Sequence, residues 1–413
     1  MDARLCMTVP QDVTRLESDP ALAVTLRSSV PSPDDLAKTI VSSGNVSASR
    51  RTSLIASLGG ATGPLPDRYQ EGKLLGKGGM GVVVMAEDRD LARPVAVKKL
   101  RADGRDPEQV DRFLREAQLT AQLEHPGILP VHDLGVDQGG DFFYVMRLVR
   151  QEETLRGVIE RLRAGDEATN RELTFERRVE IVQKVARILH YAHSRGVIHR
   201  DVKPENIMLG GFGEVYLVDW GLAKAAGAAA DPVASPAAVG DGTVTQAGAL
   251  LGTPRYMAPE QADGKPATAL SDVYSLVAVL YELLTLHNYL GDEKLPLEQL
   301  LMRVMTAKPV FAGAYSDARY GYVPPHLALL CARGLSKDPA GRFQSAQDLE
   351  RALQGWLEGE GEVVCAVTLQ LRLLNRYKRA MTRHPLPFQF VPALVALGLL
   401  ALGVLLSLAL RGR

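Results

Sequence analysis

Apolar and polar positions change rhythm along the chain. Residues 82–88 (VVVMAED) and 94–100 (PVAVKKL) are β-branched runs on either side of a turn-like stretch, which predicts two paired strands. Over 108–123, Val110, Phe113, Leu114, Ala117, Leu119, Ala121 and Leu123 recur near helical spacing, and His125-Pro126 ends that helix. Residues 129–135 and 142–148 predict a second strand pair turned at 137–140. Beyond them the pattern is mainly helical, with helices predicted over 175–195, 269–286, 297–306, 326–336 and 345–357. Short strand-like stretches at 207–209 and 215–218 interrupt it, and 225–248 is a low-complexity run of Ala, Gly, Pro and Ser. A strand-rich part followed by a helix-rich part predicts an α+β fold of two lobes.

The two ends have textures of their own. Residues 1–66 are rich in Ser, Thr and Pro, with six basic and six acidic residues, and are predicted to be disordered because they bury too little apolar surface. A short partner-binding helix near 34–41 is the alternative there. Residues 390–410 carry no formal charge over 21 positions, and every face is apolar. At ~1.5 Å rise per residue, about 20 residues cross a ~30 Å hydrocarbon core, so a single transmembrane helix is predicted. Pro392 falls in its first turn, where a missing N–H does little harm. The preceding linker, 357–389, holds Arg372, Arg376, Lys378, Arg379 and Arg383, against only Arg411 and Arg413 in the tail 411–413. That bias predicts a single-pass membrane protein with residues before the helix in the cytoplasm and the C-terminus opposite. With so short a tail, no external sensor domain is expected on this chain.

Composition removes some functions. With 48 Lys+Arg against 48 Asp+Glu in 413 residues, the chain is not built to coat nucleic acid, and no nucleic-acid partner is expected. Cys6, Cys331 and Cys365 are too far apart for a disulfide scaffold or a Cys-rich zinc module. The N-terminus lacks a basic patch followed by an apolar run, so no cleavable signal peptide is expected.

Three segments carry chemistry. Leu75-Gly76-Lys77-Gly78-Gly79-Met80-Gly81 is a glycine loop whose bare backbone N–H groups can approach phosphate oxygens. Such a loop also serves dinucleotide folds, but here a strand follows rather than a helix, and no Gly-Lys-Ser/Thr ending marks a P-loop. Lys98 ends the apolar strand Val95-Ala96-Val97, where an exposed strand lysine is the plain alternative to a phosphate-reaching one. A buried ammonium needs a carboxylate, and Glu116 on the next helix is better placed than Glu108 or Glu124. The third segment is His199-Arg200-Asp201-Val202-Lys203-Pro204-Glu205-Asn206, followed 18 residues after Asp201 by Asp219-Trp220-Gly221. Phosphoryl transfer asks chiefly for positioning and charge neutralisation. Asp201 can align a hydroxyl, Lys203 can balance the moving phosphoryl, and Asn206 with Asp219 can hold Mg²⁺ through oxygen.

From Tyr69 to Trp356 the chain resembles the eukaryotic-like (Hanks-type) Ser/Thr protein kinases of bacteria, with the motifs in family order. The resemblance implies a bilobal kinase fold over 69–356, use of ATP with Mg²⁺ (Mn²⁺ as substitute), and protein substrates. It makes Lys98 and Glu116 the strand–helix ion pair, and Asp201 and Lys203 the catalytic pair. Val83, Ala96 and Met208 would enclose adenine, with Met146 as gatekeeper and 147–149 as hinge. Glu260 of Met257-Ala258-Pro259-Glu260 would pair with Arg342, and Asp272 would anchor the catalytic loop. Lys203 and Gly252-Thr253-Pro254 imply Ser/Thr acceptors, with Thr253 bonded to Asp201 and Lys203. The chain departs from the family pattern at Trp220 (usually Phe), Arg147 (often Glu) and Val277 (often Gly). Thr245, then Thr243, resemble activation-loop phosphosites, modified in trans in a transient homodimer, with Arg200 pairing the phosphate. A catalytically dead scaffold and a small-molecule kinase are the rivals. The first is opposed by the complete set Lys98, Glu116, Asp201, Asn206 and Asp219, the second by 252–260, which resembles a peptide-binding segment.

Overall fold

The computed structural model describes residues 68–78, 81–100, 107–137, 140–149, 153–221, 223–225, 254–291, 295–317, 319, 321–360 and 373. The expectations for 1–66, Gly79, Met80, Thr243, Thr245, Thr253, most of the linker and 390–410 lie outside them. Among the described residues no helix is long and apolar enough to cross a membrane.

The small lobe is a five-stranded antiparallel sheet with one helix. Its strands are β1 (Tyr69–Lys77), β2 (Gly81–Asp88) and β3 (Arg93–Leu100), then, after α1 (Pro107–Gln122), β4 (Val131–Val136) and β5 (Phe142–Arg147), ordered β1-β2-β3-β5-β4. The period of two sorts the side chains. Val95 and Val97 join Tyr69, Val84, Phe143 and Val145 on one face, and Leu100 joins Tyr144, Phe113 and Ala117 on the face that α1 covers. Lys98, at even spacing from Leu100 and directly opposite Tyr144, therefore shares the α1 face.

The large lobe is helical. It begins with β6 (Glu153–Thr154), α2 (Leu155–Arg163), α3 (Glu167–Glu172) and α4 (Phe175–Ser194). Next come β7 (Val197–Ile198), a 3₁₀ turn at Pro204–Asn206, β8 (Ile207–Leu209), β9 (Val215–Leu217) and β10 (Lys224–Ala225). A 3₁₀ turn at Pro254–Tyr256 leads to α5 (Pro259–Ala262), α6 (Ala269–Thr285) and α7 (Leu297–Thr306). The hairpin β11 (Ser316–Asp317) and β12 (Gly321–Tyr322), α8 (Pro325–Gly334) and α9 (Ala346–Leu357) complete it. α6 is apolar almost all round, which is the pattern of a helix buried on every side, and it runs through the main core cluster of the lobe. Its ends are set locally: Ser271 Oγ accepts from the Thr268 backbone N–H at 3.0 Å, and Leu286 closes it in the left-handed region.

The observed strands and long helices match the predicted ones to within about two residues at most ends, the usual fraying range. β1, α2 and α3 were not predicted. β1 alternates poorly because its pairing slips between Glu71 and Leu74 and between Leu74 and Gly76. α2 and α3 are short and charge-rich; Thr154 and Asp166 cap them by accepting from Gly157 N and Thr169 N.

Candidate active site

The lysine end of the cleft follows from the sheet register. Lys98 Nζ and the Tyr144 hydroxyl, side by side on one face, both donate to Glu116 Oε1 at 2.5 and 2.8 Å. Glu116 stands on α1 at the helical position that faces β3, and its side chain is 2% exposed. Burial works against the Lys98 charge, but the carboxylates of Glu116 and Asp219 more than offset it and hold its pKa above the ordinary lysine value. Asp219 Oδ1 lies 3.9 Å from Lys98 Nζ, so this lysine also spans to the large lobe. Glu116 Oε2 is buried with no hydrogen-bond partner. A Cβ on Gly221 would stand 3.0 Å from that oxygen, so glycine here gives the carboxylate its room.

Lys98 lies under the glycine loop. Gly76 and Lys77 pair with Val83 and Val82, and Gly78 N–H donates to Gly81 O at 2.8 Å. A Cβ on Gly81 would fall 2.3 Å from Lys99 O, so no larger residue fits there. Beyond the loop, Ala96 is buried opposite Met146, and Met208 packs beside Met146 against Leu129, Val149 and Tyr216. The Arg147 guanidinium lies 5.8 Å from the Tyr216 ring centroid.

The opposite wall is built on one buried carboxylate. Asp272 Oδ1 accepts from Arg200 N–H, and Oδ2 from His199 N–H and His193 Nε2, all at 2.8 Å. Burial would raise the Asp272 pKa; His193, His199 and the Arg200 backbone N–H hold it below the ordinary aspartate value. Those bonds fix Arg200 at φ 72°, a left-handed conformation outside glycine that needs such support. The chain then turns so that Asp201 Oδ2 accepts from Lys203 Nζ at 2.6 Å and Asn206 Nδ2 at 3.0 Å. Asn206 Nδ2 also donates to Asp201 O at 2.8 Å, which spends both amide hydrogens. Among the described residues Asp201 Oδ1 carries no hydrogen bond, so one carboxylate oxygen is left to accept from a ligand.

The metal motif adopts a second left-handed turn, Asp219 at φ 64° with its side chain 48% exposed. Trp220 is turned the other way and is 2% exposed. Its ring meets His199 edge-on at 4.6 Å, and its indole N–H donates to Leu217 O at 3.2 Å, a bond that Phe could not make. The Asp219 carboxylate and the Asn206 amide oxygen, free once both amide hydrogens are used, form a hard-oxygen donor set suited to a divalent cation such as Mg²⁺. Among the described residues no cluster of three or more His, Cys, Asp or Glu offers a different metal site.

Further from the cleft, Arg342 forms a two-pronged ion pair with Glu260 at 2.8 and 2.9 Å, and Ser271 Oγ adds a 2.7 Å bond. Arg342 and Ser271 outweigh the burial of Glu260 and hold its pKa below the ordinary glutamate value. Sequence reasoning missed the Tyr144 hydroxyl, His193, and the cluster of Arg156 with Glu205, Glu282 and Tyr256. Only His193, one α4 turn before the loop, left a local signal.

Residues 69–353 match the protein kinase domain family. The chain is 36% identical over 322 residues to serine/threonine-protein kinase PknD of Protochlamydia amoebophila, covering 76% of this chain and 32% of that protein. It is 37% identical over 300 residues to serine/threonine-protein kinase PknB of Mycolicibacterium smegmatis, covering 72% and 44% respectively. The chain thus spans less than half the length of these relatives. With its two lobes, its paired Lys98 and Glu116 and its Asp272-anchored loop, the chain belongs to the protein kinase family, in the bacterial Hanks-type serine/threonine branch.

Proposed function

We propose that this chain transfers the γ-phosphoryl group of ATP to Ser or Thr hydroxyls of proteins. The observation that carries the reading is Asp201 held by Lys203 and Asn206 on a loop pinned to Asp272, with Lys98 paired to Glu116 across the cleft. The substrate hydroxyl donates to the free Oδ1 of Asp201, which orients its oxygen for in-line attack and takes up the proton. Lys98 binds the non-transferred phosphates as a fixed positive charge, and Lys203 balances charge on the moving phosphoryl. The new P–O bond forms as the bond to the leaving ADP oxygen breaks. A divalent cation held by Asn206 and Asp219 would supply charge neutralisation at the phosphates.

The full chain, incubated with labelled ATP, Mg²⁺ and a generic protein acceptor beside Asp201→Asn, tests this. Transfer that falls by about 10²-fold or more in the variant is expected, the usual weight of a positioned acid–base group. Equal signal from both, or none from either, overturns it.

Two finer readings belong with this proposal. Phosphate on Thr245, or Thr243 second, would pair with Arg200 and raise activity; mass spectrometry of active enzyme with neither residue modified would sink it. Residues 390–410 would anchor the kinase at the membrane, with the basic linker on the cytoplasmic side; the support is the charge-free 21-residue span and its flanks. Recovery of the full chain in the soluble fraction would exclude the anchor.

A further inference from the structure

The transfer step uses no atom of Tyr144, yet its hydroxyl is buried inside the lysine wall of the cleft. Lys98 of β3 and Tyr144 of β5 are paired directly across the sheet, so both side chains leave the same face toward α1. The Tyr144 ring is 4% exposed and packs with Leu100, Phe113 and Ala117. Its centroid lies 5.2 Å from that of Phe113, at an interplanar angle of 44°. Phe113 and Ala117 flank Glu116 on α1, so one stretch of helix holds both the ring and the carboxylate.

An apolar residue would fill this cluster equally well. What the hydroxyl adds is a 2.8 Å bond to Glu116 Oε1, the oxygen that also accepts from Lys98 Nζ at 2.5 Å. Among the described residues no other donor reaches the Glu116 side chain, and Oε2 is buried without a partner. The last torsion of a glutamate side chain is broad, so it does not fix the carboxylate by itself. With Lys98 as sole donor the carboxylate could rotate and offer either oxygen to the ammonium. With a second donor rooted in β5, Oε1 stays in place and Oε2 stays turned toward Gly221. Lys98 Nζ also lies 3.9 Å from Asp219 Oδ1, so a swing of Glu116 would shift the ammonium between two acids. Burial, and then the Glu116 charge, raise the Tyr144 phenol well above its ordinary pKa, which keeps the hydroxyl a donor.

We propose that Tyr144 is a positioning residue for phosphoryl transfer: its hydroxyl locks the Glu116 carboxylate, so that Lys98 is presented to the non-transferred phosphates of ATP in one place. The inference rests on the protein-kinase reading and deepens it, giving a role to a side chain that touches neither substrate nor metal. A charge already in place at the start of each turnover needs no reorganisation as the phosphoryl moves.

Tyr144→Phe keeps the ring and removes only the hydroxyl. In the full chain with Mg²⁺, kcat/KM for ATP is expected to fall about tenfold, the weight of a hydrogen bond to a charged group, while KM for a generic protein acceptor stays within about twofold. ADP affinity, read by titration calorimetry, should fall with it. A merely structural hydroxyl would lower the unfolding midpoint and leave no difference between ATP and acceptor. Added to Lys98→Met/Glu116→Met, the same substitution should leave ADP affinity unchanged, since the hydroxyl then has no pair to set. Unchanged kcat/KM for ATP in folded Tyr144→Phe overturns the inference, as does an equal loss of ADP affinity in both backgrounds. Tyr144→Leu repeats the test if the first variant does not fold. Failure of both to fold overturns it as well, because the hydroxyl would then secure the lobe rather than the lysine. Absence of transfer by the wild type would strike the kinase reading instead, and the ADP titrations would still decide what Tyr144 does.

Discussion

The two walls of the cleft are secured in different ways. The catalytic loop is hung from Asp272 by two hydrogen bonds to its backbone N–H groups, a third bond ties Asp272 to His193 on α4, and Asp272 is embedded in the continuous core of the large lobe. Lys98 is set by one carboxylate oxygen on a helix that meets the sheet through a small cluster of Leu100, Phe113, Ala117 and Tyr144. One wall is over-determined, while the other depends on one short ion pair between separate elements, with the Asp219 carboxylate a longer 3.9 Å away. The position of α1 can therefore tune the lysine with little disturbance to the loop.

Breaking the stronger wall should have the largest effect. Asp272→Ala leaves two buried backbone N–H groups and His193 without their acceptor. It is expected to destabilise the large lobe by about 3–5 kcal/mol and to abolish transfer, read by chemical denaturation and phosphoryl-transfer assay. On the weaker wall, Lys98→Met strands the Glu116 carboxylate, at a cost of about 1–3 kcal/mol. Transfer should fall by about 10²-fold or more. The double variant Lys98→Met/Glu116→Met should recover most of the stability and none of the transfer, because a buried ion pair contributes little over apolar packing. If the double variant remained as unstable as the single, the small lobe would depend on this pair for more than lysine placement.

The acid limb sharpens the comparison further. Glu260 has a lower pKa folded than unfolded, so its contribution to stability is complete above the unfolded value near 4.5. As pH falls below that, the unfolded chain binds the proton first and the contribution is lost. Glu260→Gln should flatten this acid-side decline and lower stability at neutral pH, as followed by thermal unfolding against pH. The smallest effect is expected from Trp220→Phe, which removes the indole hydrogen bond to Leu217 O and costs about 1 kcal/mol. Transfer should then remain within a few-fold of wild type; a loss as deep as that of Lys98→Met would mean that Trp220 also sets the Asp219 turn.

The chemistry was legible wherever function demands particular residues at short spacing. Asp201, Lys203 and Asn206 lie within six positions, and Asp219 follows one strand pair later, so their convergence needs no long-range information. Glu116 was readable because a helix after an apolar strand presents only some positions to it. The Tyr144 hydroxyl was not, since whether a strand tyrosine is core or ligand depends on register with β3. The Arg156–Glu282 contact joins residues 126 positions apart, and nothing local to either marks the other. α2 and α3 escaped prediction because tertiary packing of Leu155, Val158, Ile159 and Leu162, rather than a long amphipathic repeat, makes that segment helical.

One pairing bears on how the chain tolerates change in length. β10 (Lys224–Ala225) hydrogen-bonds with β7 (Val197–Ile198), just ahead of the catalytic loop, and Glu260 is clamped by Arg342 at the far side. The stretch between, 226–253, thus has both ends moored to the same lobe. A flexible connection between two fixed ends costs closure entropy that grows only logarithmically, about 0.6 kcal/mol per doubling of length. Insertions or deletions of a few residues there should leave the melting temperature almost untouched. Selection on the length of that stretch can then act with little effect on the fold.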